Sequence, residues 1–147
     1  MAAEEGGRPE ARRAAQAAER HRRGYNCAQA VACTYCEDFG VAERDAFRAT
    51  EGFGLGMGSM MGTCGAISGA CYLAGLASSD GDLEHPATKR DTYALSRQVI
   101  ERFAEMNGVT ACRDLKGVGR EGGPVRSCPG CVADACRIVE DVLLGSR

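Results

Sequence analysis

The chain has 147 residues, a formal net charge of −2, nine cysteines and no tryptophan. That length suits one domain whose core can stand without disulfides. The charge near zero, with four Phe and four Tyr, gives neither the basic field nor the aromatic platform of a nucleic-acid binder. An odd number of cysteines cannot all pair within one chain. In a reducing compartment such a number points to metal, cluster or redox thiol chemistry before structural disulfides. Met1 to Arg8 contain no apolar leader core, so a cytoplasmic protein is expected.

Residues 1–8 read as a flexible tail and 9–147 as a single helical domain. Pro9 suits a helix start, and Glu10 to Arg23 is an Ala/Arg/Glu helix with a small apolar face at Ala11, Ala14, Ala15 and Ala18, ended by Gly24. Its arginines are balanced by glutamates and read as a solvated face. Asn26 is a good N-cap for a helix from Cys27 to Phe39, with Ala28, Val31, Ala32, Tyr35 and Phe39 on the core side and Cys33 pointing away. Ala42 to Thr50 is a short polar helix anchored by Phe47.

The stretch from Gly52 to Ser79 has no charged residue. It is long enough to span a bilayer, but its glycines and scarcity of large aliphatics favour a buried soluble helix. The glycines at 52, 54, 56 and 58 do not match a phosphate-binding spacing, and no strand precedes them. Gly58, Gly62, Ala66, Ala70 and Ala74 would form one ridge of small side chains, with Gly65 and Gly69 beside it. Another helix can approach such a ridge closely, within the chain or across a homodimer.

Ser78 to His85 reads as a surface loop. Thr88 and Asp91 resemble a capping pair for a helix carrying Leu95, Val99, Phe103 and Met106, which stops at Asn107-Gly108. Thr110 to Gly117 is a turn or two of helix. Ser127-Cys128-Pro129-Gly130 leads into a last helix, Cys131 to Leu144, with Cys131, Ala135, Ile138, Val139, Val142 and Leu143 on its core face. No strand pattern and no internal repeat appears. The expected fold is all-α, a compact single-domain bundle around the buried Gly/Ala-rich helix.

Cys27, Cys64, Cys112 and Cys128 each fall at or just before a predicted helix start. Free N–H groups and the positive end of the helix dipole stabilise a thiolate there. These four are the candidate site. Cys131 and Cys136 read as small core residues, Cys71 as either sensing the site from one heptad beyond Cys64 or merely packing, Cys33 as exposed. Cys128-Pro129-Gly130-Cys131 also has the form of a dithiol motif heading a helix, or of half a zinc site. His21 and His85 read as solvated. Met57, Met60 and Met61 read as packing, with copper(I) ligation the weaker reading.

Several stretches together resemble the C_GCAxxG_C_C family of redox-active proteins. They are Gly24-Tyr25-Asn26-Cys27-Ala28-Gln29-Ala30-Val31, Gly52-Phe53-Gly54 with Gly56-Met57-Gly58, Cys64-Gly65-Ala66-Ile67-Ser68-Gly69, Cys112-Arg113-Asp114-Leu115 with Gly117, and Cys128-Pro129. The resemblance runs from roughly residue 10 to 144. It implies a redox role and carries the family's defining cysteines onto Cys27, Cys64, Cys112 and Cys128. Cys33, Cys36, Cys71, Cys131 and Cys136 are additions in this chain.

Three functions follow as alternatives. The first is a thiol–disulfide or electron-transfer protein, an oxidoreductase in the enzymatic case, with Cys64 as the attacking thiolate, Cys27, Cys112 or Cys128 resolving it, and an unidentified redox partner. The second uses Cys27, Cys64, Cys112 and Cys128 as ligands of an iron–sulfur cluster or zinc. The third is a non-catalytic interaction protein.

Overall fold

The computed structural model describes residues 9–145; the expected tail, residues 1–8, lies outside them. The first helix, α1 (Pro9–Arg22), packs on the second and on the last. Its fully buried residue is Ala17, with Ala14 and Ala18 beside it, while Ala11 and Ala15 are exposed. The apolar face is therefore turned from the expected one. The arginine face is not simply solvated either. Arg13 donates to Thr34 O at 3.0 Å and Asp38 Oδ1 at 2.6 Å, and its guanidinium lies 4.4 Å from the centre of the Tyr35 ring. Arg20 donates to Glu43 Oε2 at 3.0 Å and Thr34 Oγ1 at 3.1 Å. These arginines fasten α1 across its neighbours.

Asn26 caps α2 (Cys27–Tyr35) as expected. Its side chain accepts from the Gln29 N–H at 2.9 Å, and the Gln29 side chain accepts from the Asn26 N–H at 2.9 Å, closing a capping box. Asn26 Nδ2 also donates to Glu51 O. Asn26→Ala is expected to lower unfolding stability by about 1 kcal/mol, read as a shifted urea midpoint with unchanged slope. Every residue of α2 from Ala28 to Tyr35 is buried. A 3₁₀ turn, Cys36–Phe39, then leads to Gly40. Cys33, expected exposed, is only 3 % exposed, and Cys36 is 0 % exposed. Other helices cover α2 on all sides, so it has no solvent face for Cys33 to occupy.

After α3 (Glu43–Thr50) the chain makes a 3₁₀ turn, Glu51–Phe53, and a wide turn, Gly56–Met60. Gly58 and Gly62 precede the central helix rather than lying on it, because α4 spans Gly65–Ser78 with Cys64 at its N-cap. The rest of the ridge is in place: Ala66, Ala70 and Ala74 are fully buried. Among the glycines of α4 the closest approach is at Gly69, where a Cβ would sit 2.6 Å from Ala28 O on α2.

The fifth helix, α5 (Lys89–Asn107), buries Val99 and Phe103 and stops at Gly108 in the left-handed region. Thr88 makes no side-chain cap, and Met106 is exposed. A short α6 (Cys112–Lys116) is followed by a loop that returns to it through Val125 N–H to Leu115 O at 2.9 Å. The last helix, α7, is Cys128–Val142, three residues longer at its start than expected. The Ser127 hydroxyl caps it from Gly130 N–H, and Pro129 fits the first turn, where no intrahelical donor is needed. Among the described residues β pairing is limited to one bridge, Thr63 to Ala111. The fold is all-α.

Candidate functional site

The single bridge joins the segments that carry two of the candidate cysteines. Cys64 N–H donates to Thr110 O at 2.8 Å, and Cys112 N–H donates to Gly62 O at 2.9 Å. The turn before Cys64 presses equally close: a Cβ on Gly56 would run into Cys112. Capping places Cys27 at the head of α2 and Cys128 at the head of α7. The four helix heads meet around one cavity of about 200 Å³. Cys27, Cys64, Cys112 and Cys128, the four cysteines singled out from the sequence, all line it.

Cys131 lines it too. It was expected to be core filler, and it is only 2 % exposed, but α7 turns it to the cavity that Cys64 lines. The neighbouring Cys131 thiol, with the N–H groups of Ala66 and Ile67 at the start of α4 and the Lys116 ammonium, outweighs burial and holds the Cys64 thiol down at about 7. The backbone contacts are too loose to form a geometric cap. They act through the free amides and dipole at the helix start. The same pairing pushes the Cys131 thiol up, with burial adding to it.

The helix-start argument does not extend to every member of the set. Cys27 is raised, chiefly by burial and then by the neighbouring Cys128 and Cys64. Cys112 is raised by burial despite Lys116. Desolvation works against charge in both, and α6 is too short to offer much dipole.

Two cationic groups escaped the sequence reading. Lys116, one turn beyond Cys112, donates to Cys128 Sγ at 3.4 Å, and that contact raises its pKa. Among the described residues Lys116 has no carboxylate partner. Arg126 also faces the cavity but is held by Asp134 at 2.9 and 3.0 Å. His21, expected to be solvated, puts Nε2 3.7 Å from Cys27 Sγ. Burial and then Lys116 lower its pKa, so it is neutral at pH 7 and able to exchange a proton with Cys27. His85 is exposed in its loop, as expected.

The remaining thiols stand apart. Cys33 Sγ donates to Glu43 O and Cys36 Sγ to Cys33 O, with burial raising both thiols. Cys136 is fully buried in the core, raised to about 12. Cys71 lines a separate groove. All nine cysteines are free thiols. Among the described residues no three of His, Cys, Asp and Glu are grouped so as to hold a metal ion. No helix among them is long and apolar enough to cross a membrane.

A family model described as "Putative redox-active protein (C_GCAxxG_C_C)" matches residues 25–142. No curated protein and no solved structure matches the chain.

Proposed function

The chain belongs to the C_GCAxxG_C_C family of redox-active proteins, and on that premise we propose that it exchanges disulfides through Cys64 with Cys131 as its resolving partner. The observation that carries this reading is Cys64 at the head of α4 in one cavity with Cys131 and Lys116, where its thiol is held below the ordinary value. A thiolate, not a thiol, attacks sulfur, and a pKa near ambient pH combines availability with nucleophilicity.

The Cys64 sulfur attacks one sulfur of a substrate disulfide. An S–S bond forms to Cys64 while the substrate S–S bond breaks, and one substrate thiolate leaves. Cys131 then loses its proton to the second leaving sulfur and attacks Cys64. The second substrate thiol departs, and the Cys64–Cys131 disulfide remains. The substrate gains two electrons and the protein loses two; a dithiol reductant restores it.

Cys27 and Cys128 form a second pair on the wall of the same cavity. Their proximity supports a relay in which electrons enter through one pair and leave through the other. Lys116 donates to the Cys128 sulfur beside that pair.

The alternative keeps Cys27, Cys64, Cys112 and Cys128 as ligands of an iron–sulfur cluster or zinc. Four thiolates around one ion must converge to bonds of about 2.3 Å. The side chains here are not grouped that way, whereas exchange needs only pairs. Mild oxidation followed by peptide mapping tests the proposal. A Cys64–Cys131 disulfide is the expected first product. First pairing of Cys64 with Cys112, or stoichiometric iron or zinc in protein purified without oxygen, overturns it.

A further inference from the structure

Cys64 is almost closed off from solvent, at 5 % exposed, and the cavity it lines is about 200 Å³. Sites for drug-sized ligands run to about 300–1,000 Å³. This one takes a small molecule, or one end of a slender one. A protein disulfide arrives with backbone on both sides of each cysteine, which is more than that space holds.

The wall combines apolar surface with one cation that is short of partners. Leu55, Leu115 and Gly65 supply the apolar part. Most of the polar side chains are already engaged. Asn26 closes the capping box and donates to Glu51 O. Arg126 is held by both oxygens of Asp134. His21 Nε2 stands against Cys27 Sγ. Lys116 differs. An ammonium has three donors, and among the described residues Lys116 spends one, on Cys128 Sγ. Sulfur is a weak acceptor. Among the described residues no aspartate or glutamate lines the cavity, and Asp114, the acid of the same helix, is not on the wall. Arg113, three positions earlier on α6, is exposed and likewise approaches a sulfur, Met61 Sδ at 3.9 Å, rather than a carboxylate. The two oxygens of a carboxylate would take the spare Lys116 donors in charge-assisted bonds stronger than those sulfur accepts.

We infer that the cavity takes a small carboxylate-bearing disulfide, its carboxylate bound by Lys116, its short aliphatic arm against Leu55 and Leu115, and its sulfurs presented to Cys64. The inference rests on the thiol-exchange reading for its chemistry and names the substrate class, a low-molecular-weight acid. One R–S–S–R and the Cys64 and Cys131 thiols give two R–SH and the Cys64–Cys131 disulfide. The substrate gains two electrons and two protons, and a dithiol reductant restores the protein. A cationic disulfide would meet Lys116 and Arg113 with like charge.

The test uses three disulfides of one length. Dithiodipropionate is anionic, bis(2-hydroxyethyl) disulfide neutral and cystamine cationic. Each exchange rate is divided by that of free mercaptoethanol with the same disulfide, which corrects for the leaving group. The anionic disulfide is expected to react about tenfold faster than the cationic one, with the neutral one between, because a half-buried ammonium attracts the first and repels the last. In Lys116→Gln all rates are expected to change, and the anion-to-cation ratio to fall to about twofold or less. A thermal melt checks the variant. In the unaltered protein the ratio is expected to shrink likewise in about 1 M salt, where the screening length falls to about 3 Å. Equal corrected rates, or a ratio that survives Lys116→Gln, overturns the carboxylate site. Should the variant not fold, a ratio unchanged by salt overturns it. Binding without chemistry is read with suberate, the sulfur-free analogue of dithiodipropionate, by the amide NMR shifts of Gly65 and Lys116. Suberate shifts without exchange of any disulfide would uphold the carboxylate site and sink the Cys64 chemistry. Neither shifts nor exchange would overturn both.

Discussion

Replacing Cys64 with serine is expected to bring disulfide exchange down to the background rate, while Cys131→Ser stops the reaction halfway. The two outcomes differ because the residues act at different steps. Without Cys64 no sulfur attacks the substrate. Without Cys131 the first attack still occurs, and the substrate stays attached to Cys64 as a mixed disulfide. Mass spectrometry of the Cys131→Ser protein after one turnover should find that adduct on Cys64. An adduct on Cys27 or Cys128, or exchange that persists in Cys64→Ser, would move the nucleophile elsewhere. The pH dependence follows from the environment of Cys64. Its thiol is held at about 7 rather than the ordinary 9.0, so alkylation at Cys64 should rise with pH through 7 and level off above it. Cys33, Cys36 and Cys136, buried with thiols pushed up, should stay unmodified over that range. Cys131→Ala removes the neighbouring donor that holds Cys64 down, so in that variant the alkylation profile should move to higher pH.

Adding one methyl group to α4 should have opposite effects at two glycines. At Gly69 the new Cβ meets Ala28 O at 2.6 Å, with Ala28 Cα and C at 3.1 and 3.2 Å. All three are backbone atoms of a helix buried on every side, so none can yield cheaply. Overpacking of this kind costs about 1–3 kcal/mol. The better helix propensity of alanine returns only about 0.5–1 kcal/mol. Gly69→Ala should therefore destabilise the fold. At Gly75 a Cβ meets nothing within 4 Å, so only the propensity term acts and Gly75→Ala should stabilise. Urea unfolding of both variants decides the matter; a stable Gly69→Ala protein would mean that α2 and α4 are not held at this spacing. The site depends on the same contact. Pushing α2 from α4 separates Cys27 from Cys64, so Gly69→Ala should also slow exchange.

Local signals carried the frame of the molecule. Asn26 with Gln29 three positions on marked the start of α2. The change from glycine-rich turn to small-residue helix marked Cys64, and Gly108 marked the end of α5. The absence of period-two patterning gave an all-helical chain. The α7 start was misread because Cys128-Pro129-Gly130 looks like a loop. Ser127 caps there instead, and proline and glycine are both tolerated in a first turn. Cys33 was misplaced for a different reason. Helical periodicity identifies a core face only when the opposite face meets water, and α2 has no such face.

Amino-acid order by itself determined which cysteines stand at helix heads, because capping and glycine stops act over three or four residues. It therefore singled out Cys27, Cys64, Cys112 and Cys128, and the family that shares them. Only the tertiary structure decided what each thiol became. Cys131 follows Cys128 by three residues and reads as core from its own helix, yet the packing of α7 against α4 puts it beside Cys64. Lys116 and His21 enter through α6 and α1, elements far apart in sequence. Whether a helix-head thiol ionises depends on the balance of desolvation against donors and charges that other segments bring. That balance lowers Cys64 and raises Cys27 and Cys112. It is a sum over space, so no pattern along the chain encodes it.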